Sequence, residues 1–172
     1  MHFPLPFLMI SLTLSNLPVT FGVNLQQYTR PRCYGNRAWC RNIGSRVCCR
    51  ARTRVFASGS CQGCTSTDFH TTWNRVRNNY CGRAAASTNG GRCISGGSNL
   101  RGHTWCRLCR TRAEVEEEAP CTETIEPDVL EIGDRLFYLN QTVPEDHRDR
   151  LWQLWGDEVP VEDVPSELMQ YA

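Results

Sequence analysis

The sequence predicts a small α+β protein: a disulfide-rich module with one main helix packed on a short antiparallel sheet, followed by an acidic hairpin-and-helix C-terminal tail. Three observations predict it. All eleven cysteines lie between Cys33 and Cys121, a density at which disulfides stand in for a large hydrophobic core. Apolar residues recur at helical spacing between positions 67 and 81. Charge divides the chain: residues 23–112 carry sixteen arginines against one acid, Asp68, whereas residues 113–172 carry seventeen acids against three arginines. The formal net charge of +1 over 172 residues conceals two opposite halves, and there is no lysine.

Three segments follow from these features. Residues 1–22 read as a signal peptide: Phe3 to Leu14 is an apolar run too short to span a bilayer, and Thr20 and Gly22 sit at −3 and −1 of a cut before Val23. Residues 23–112 form the basic cysteine-rich module, and residues 113–172 the acidic C-terminal segment. The chain is therefore expected to be secreted and extracellular, with no transmembrane segment. In an oxidising compartment Cys33, Cys40, Cys48, Cys49, Cys61, Cys64, Cys81, Cys93, Cys106, Cys109 and Cys121 are expected to pair, in a connectivity that spacing leaves open. Eleven is odd. Cys121, twelve residues beyond Cys109, is the natural odd thiol: it stays free, links a dimer, or staples the tail to the module.

Each element has its local reason. Residues 28–39, with Pro31, Gly35 and Asn36, read as loop. In residues 46–58 Val47, Cys49, Ala51 and Val55 alternate with Arg46, Arg50, Arg52 and Arg54, which predicts a strand with one cationic face and sends adjacent Cys48 and Cys49 to opposite sides. Phe69, Trp73, Val76 and Tyr80 fall at i, i+4, i+7 and i+11, after a capping Ser66 or Thr67 and before Gly82, so residues 67–81 are expected as the main helix, tied to the sheet by Cys64 and Cys81. Residues 84–102 are loop-like, with a short strand near Cys93. Residues 113–120 read as a linker. Beyond it, residues 129–132 and 135–139 flank Gly133-Asp134 as a hairpin, Pro144 opens an amphipathic helix to about residue 155, and Pro165 opens another. The tail is too apolar for a disordered acidic segment and is expected to fold back on the module, its acids facing the arginines.

The arginines carry the strongest chemical signal. Arg46, Arg50, Arg52, Arg54, Arg75 and Arg77, interleaved with aromatics, make a candidate anion-binding face, since guanidinium pairs bidentately with oxyanions and stacks on rings. An anionic surface, an acidic polysaccharide or a host protein would be the partner, and RNA a further one. Against this, arginine can simply replace lysine by compositional drift. The pairs Cys61/Cys64 and Cys106/Cys109 have zinc-ligand spacing, but their separation and the expected export favour disulfides, so no metal or cofactor is expected. Trp105-Cys-Arg-Leu-Cys109 echoes a redox motif without its β-α-β context. His70 and His103 offer the acid and base of a ribonuclease, one imidazole taking the 2′-hydroxyl proton and the other protonating the leaving oxygen. No other catalytic pattern is present, so a non-enzymatic binding protein leads, with secreted ribonuclease and disulfide-linked interaction protein as alternatives. Asn140-Gln-Thr142 is a glycosylation sequon.

In cysteine density, short signal peptide and lack of catalytic motif the chain resembles the small secreted cysteine-rich proteins of fungi, many of them effectors or toxins. Ser87-Thr-Asn-Gly-Gly-Arg-Cys-Ile-Ser-Gly96, Cys106-Arg-Leu-Cys109 and Cys33-Tyr-Gly…Cys40 are similar to parts of the smut-fungus killer-toxin family. That resemblance covers about two dozen residues and implies a disulfide-rich α/β sandwich acting on calcium channels. The interval from Cys93 to Cys106 is shorter than in that family, the predicted helix precedes rather than follows Cys-Ile-Ser-Gly, and the acidic tail has no counterpart there.

Overall fold

A computed structural model describes residues 22–107, 109, 121 and 123–172. Residues 1–21 of the expected signal peptide and the whole expected 113–120 linker lie outside them. Among the described residues ten strands and one helix follow one another: β1 (Val23–Arg30), β2 (Tyr34–Ile43), β3 (Val47–Arg50), β4 (Phe56–Gln62), β5 (Phe69–Val76), β6 (Asn79–Asn89), β7 (Ile94–Cys106), β8 (Glu123–Ile125), β9 (Val129–Ile132), β10 (Arg135–Tyr138) and α1 (Glu145–Asp157), then two short 3₁₀ turns. All ten strands join one sheet, in the order β10-β9-β2-β1-β4-β7-β3-β8, with β5 also on β7 and β6 on β5. Pairing is antiparallel except between β3 and β8.

This overturns the expected helix packed on a short sheet. Residues 67–81 are not helical: β5 and β6 form a hairpin that reverses at Arg77, whose φ is +54°. The helical spacing of Phe69, Trp73, Val76 and Tyr80 was a coincidence of four sparse apolar residues. β-Branched Thr71 and Thr72 favour extended backbone, and β5 lies between β6 and β7, burying His70, Thr71, Thr72 and Trp73 in succession. A strand buried on both faces with polar residues has no apolar period to detect. The predicted loop 28–39 belongs to β1 and β2, which turn through Arg32 and Cys33 at φ +62° and +57°. Gly35, at φ +84°, follows that turn, and a Cβ there would run into the side chains of Thr29 and Glu158. The loop-like 84–102 region is mostly β6 and β7.

β3 and β4 lie end to end along the same edge of β7, since Cys49 pairs with His103, Arg50 with Gly102 and Phe56 with Leu100. The single cationic strand expected over residues 46–58 is thus broken, and the excursion between its halves carries Arg52 and Arg54 outward. At the far edge the acidic segment enters the sheet itself, β9 pairing with β2 through Ala38–Leu130 and Trp39–Val129.

The core has two unlike faces. On one, Phe56 and Leu100 of the basic module pack with Leu130, Ile132 and Phe137 of the hairpin under Trp152 and Trp155 of α1, the two indoles meeting edge to face at 5.1 Å. On the other, Val23, Leu25 and Trp105 pack around Cys40, Cys49 and Cys61. Burying residues of this size contributes about 1.5–3 kcal/mol each, so the acidic segment supplies much of the hydrophobic stability of a sheet that the basic module begins.

Candidate anion-binding site

Five disulfides frame the sheet: Cys33–Cys93, Cys40–Cys49, Cys48–Cys81, Cys61–Cys64 and Cys106–Cys109. Adjacent Cys48 and Cys49 take different partners, as alternation along a strand requires. Cys64 and Cys81, expected to tie the helix down, instead bond to Cys61 and Cys48. Both Cys-x-x-Cys pairs close on themselves. Cys121 is the free cysteine among the described residues, and it is half-buried. No helix of the described residues is long and apolar enough to cross a membrane. These bridges mark a disulfide-rich protein of the secreted kind.

Five of the six predicted arginines separate into two groups, and Arg46 belongs to neither. Arg50 donates to Glu126 at 2.5 Å, and Arg52 reaches Glu126 at 2.9 Å, Asp149 at 2.6 Å and also Glu145. Arg54 meets Asp157 at 2.6 Å. Arg37 pairs with Glu131 and Arg41 with Asp128. Arg30 pairs with Glu158, the residue that ends α1 in the left-handed conformation. Burial pushes the Glu158 carboxyl up, but hydrogen bonds from Arg30 and Thr29, with the Arg30 charge, outweigh it and hold it below the usual range. The acidic segment therefore takes up the charge of Arg50, Arg52 and Arg54. Arg46 sits at φ +65° in the turn before β3, its backbone N–H donating to the Trp105 carbonyl at 2.8 Å.

Arg75 and Arg77 stand apart, exposed at the β5–β6 reversal. Arg75 donates to the Arg77 carbonyl at 2.6 Å and to Asn78, and its guanidinium lies 4.7 Å from the Tyr80 ring centre. Arg50 lies over the same ring at 5.0 Å. Beside this tip β5 parts from β7: Trp73 still faces Gly102, but Asn74 faces Leu100, and the first half of β7 continues along β4 alone. The split is an open groove of about 430 Å³ lined by Asn74, Arg75, Arg83, Gly96, Gly97 and Asn99. A neighbouring lobe of about 600 Å³ shares Asn74, Arg83 and Gly96 and reaches Trp73 and Ala84. Among the described residues no acid lines either lobe. Gly97, at φ +113° with open space where a side chain would stand, keeps the floor bare. Arg83, Asn74 and Asn99 were missed by sequence reasoning, because the groove arises only where two long strands diverge.

His70 and His103 do come together, across β5 and β7, with His70 Nδ1 2.9 Å from His103 Nε2. Both are fully buried, so no strand of RNA meets them in this fold. Burial lowers the His70 pKa to about 4 and drives that of His103 well below its usual value. Asn140 is exposed in the turn after β10, its Oδ1 accepting from the Thr142 N–H at 2.9 Å.

No curated protein and no solved structure matches this chain. One family model does: ARB_05566_N, described as an N-terminal domain, matches residues 24–128, from β1 to the residue before β9. That span is more than half of the 172 residues, and the chain belongs to the ARB_05566_N family.

Proposed function

We propose that this is a secreted, disulfide-framed, non-enzymatic protein of the effector or toxin type, which binds an anionic partner at a host or competitor cell surface through the groove beside the β5–β6 reversal. One observation carries the proposal: Arg75 and Arg83 line a groove with no acid among the described residues, whereas Arg50, Arg52 and Arg54 are already neutralised by the protein's own acidic segment. Arginine recognises sulfate, phosphate or carboxylate through a planar fork, and the flanking Asn74 and Asn99 amides offer both donors and acceptors to neighbouring hydroxyls. The exposed Asn140 sequon suits a glycoprotein of the same export route.

The test is retention of the oxidised protein on an immobilised sulfated polysaccharide, eluted with salt. Arg75→Ala/Arg83→Ala should weaken binding about tenfold or more, the loss of two charge-assisted contacts, and lower the eluting salt concentration. Equal retention of that variant and the parent would remove the groove as the site. Incubation with RNA belongs beside it, since cleavage abolished by His70→Ala would replace binding with catalysis.

A further inference from the structure

The Cys48–Cys81 bridge has a third sulfur beside it. The Sγ atoms of Cys48, Cys81 and Cys121 all lie within 4.8 Å of one another. Cys48 and Cys81 are buried with Trp73 and Ala84, and Cys121 packs against that cluster with Tyr80. The backbone holds Cys121 there independently of sulfur chemistry. It lies two residues before β8, whose parallel ladder with β3 sets Glu123 opposite Val47 and Thr124 opposite Cys48. A free thiol is thus delivered to one particular disulfide by a register.

We infer that Cys121 is the nucleophile of an internal thiol–disulfide exchange that moves the bridge from Cys48–Cys81 to Cys48–Cys121. The Cys121 thiolate attacks Cys48 Sγ and a new S–S bond forms. The old bond breaks with its electron pair on Cys81, which takes up a proton equal to the one Cys121 gave up. One disulfide and one thiol exist before and after, so no oxidant or reductant is consumed. The exchange changes what is joined: Cys48–Cys81 links β3 to β6, whereas Cys48–Cys121 fastens the start of the acidic segment to the basic module. Burial raises the Cys121 pKa, keeping the thiolate scarce at neutral pH, and the rate should climb about tenfold per pH unit below that pKa.

The experiment traps free thiols in the full secreted chain. Protein is held at pH 4 or at pH 8.5 without added thiol, quenched in acid, alkylated with N-ethylmaleimide and mapped by peptide mass spectrometry. Label confined to Cys121 at pH 4 and shared with Cys81 at pH 8.5, at a rate independent of protein concentration, is the expected result. Label remaining only on Cys121 at both pH values overturns the inference, as does a rate proportional to protein concentration. A second variant reads the proximity directly. Cys81→Ser should contain no free thiol, because Cys48 and Cys121 pair, while Cys121→Ser should keep Cys48–Cys81 and show no exchange. Two free thiols in Cys81→Ser would overturn the inference independently.

Discussion

His70 and His103 share one hydrogen bond inside the sheet, 2.9 Å from Nδ1 to Nε2, and the His70 ring ends on a backbone carbonyl. His70 Nε2 donates to the Arg92 carbonyl at 2.8 Å, which leaves its Nδ1 as acceptor and makes His103 Nε2 the donor. His103 Nδ1 is then bare and turned toward the Gln26 carbonyl, a buried nitrogen without a completed hydrogen bond. A third proton would satisfy the whole chain of groups, but it would place a charge where no water reaches. Burial wins, and both rings are held neutral.

Acid sensitivity follows with a definite sign. Unfolded histidines take up protons near 6.5, while His70 in the fold resists to about 4, so its contribution is complete above 6.5 and is lost as pH falls towards 4. About 3 kcal/mol should disappear across that window from His70 alone. Urea unfolding at pH 7 and pH 4.5 measures it. His70→Gln should flatten the dependence, and an unchanged slope in that variant would assign acid lability to other groups.

Arg52 joins three parts of the chain. It comes from the excursion between β3 and β4 and meets Glu126 before β9 and Glu145 and Asp149 on α1, with its side chain only 20% exposed. Burial opposes the charge, but its hydrogen bonds to Asp149 and Glu126 outweigh that cost and raise the guanidinium pKa. Arg52→Ala should cost about 2–3 kcal/mol, between the values for exposed and buried pairs. Arg52→Lys should recover less than half, since a point charge cannot serve three carboxylates as a fork does. Chemical denaturation of both variants checks this.

The bridges should differ in worth. Cys33–Cys93 closes a separation of 60 residues and Cys61–Cys64 one of only 3. By loop entropy alone, losing the first costs about 4 kcal/mol, and losing the second much less. Paired Cys→Ala variants compared by thermal unfolding should therefore rank in that order. The reverse order would show that native strain, not chain entropy, sets their value.

Legibility in the sequence followed apolar patterning. The β9–β10 hairpin about Gly133-Asp134 and α1 after Pro144 were legible because apolar runs, turn residues and proline coincide there. The folding back of the acidic segment was legible from its apolar residues, with the opposite charges of the two halves setting what it would face. β5 was not, because its interior is filled by His70, Thr71 and Thr72, whose burial depends on neighbours on both sides. The candidate site was half legible. Arg75 was found by residue type, but Arg83, Asn74 and Asn99 become neighbours only through a divergence of strands that no local pattern encodes.

The acidic segment also sets how much basic surface is presented. Arg50, Arg52 and Arg54 meet Glu126, Glu145, Asp149 and Asp157 instead of outside anions. Glu126 is the most enclosed of these carboxylates, 14% exposed, and serves both Arg50 and Arg52, so its loss would upset the fold as well as the charge. Asp157, 52% exposed, pairs with Arg54 as its one salt-bridge partner among the described residues and offers the cleaner test. Asp157→Asn should free the Arg54 guanidinium at less than about 1 kcal/mol of stability, the worth of an exposed pair. The variant should then elute from sulfated polysaccharide at higher salt than the parent, and the gain should vanish in Asp157→Asn/Arg54→Ala. Unchanged elution of Asp157→Asn would mean that Arg54 stays out of reach of external anions even when unpaired.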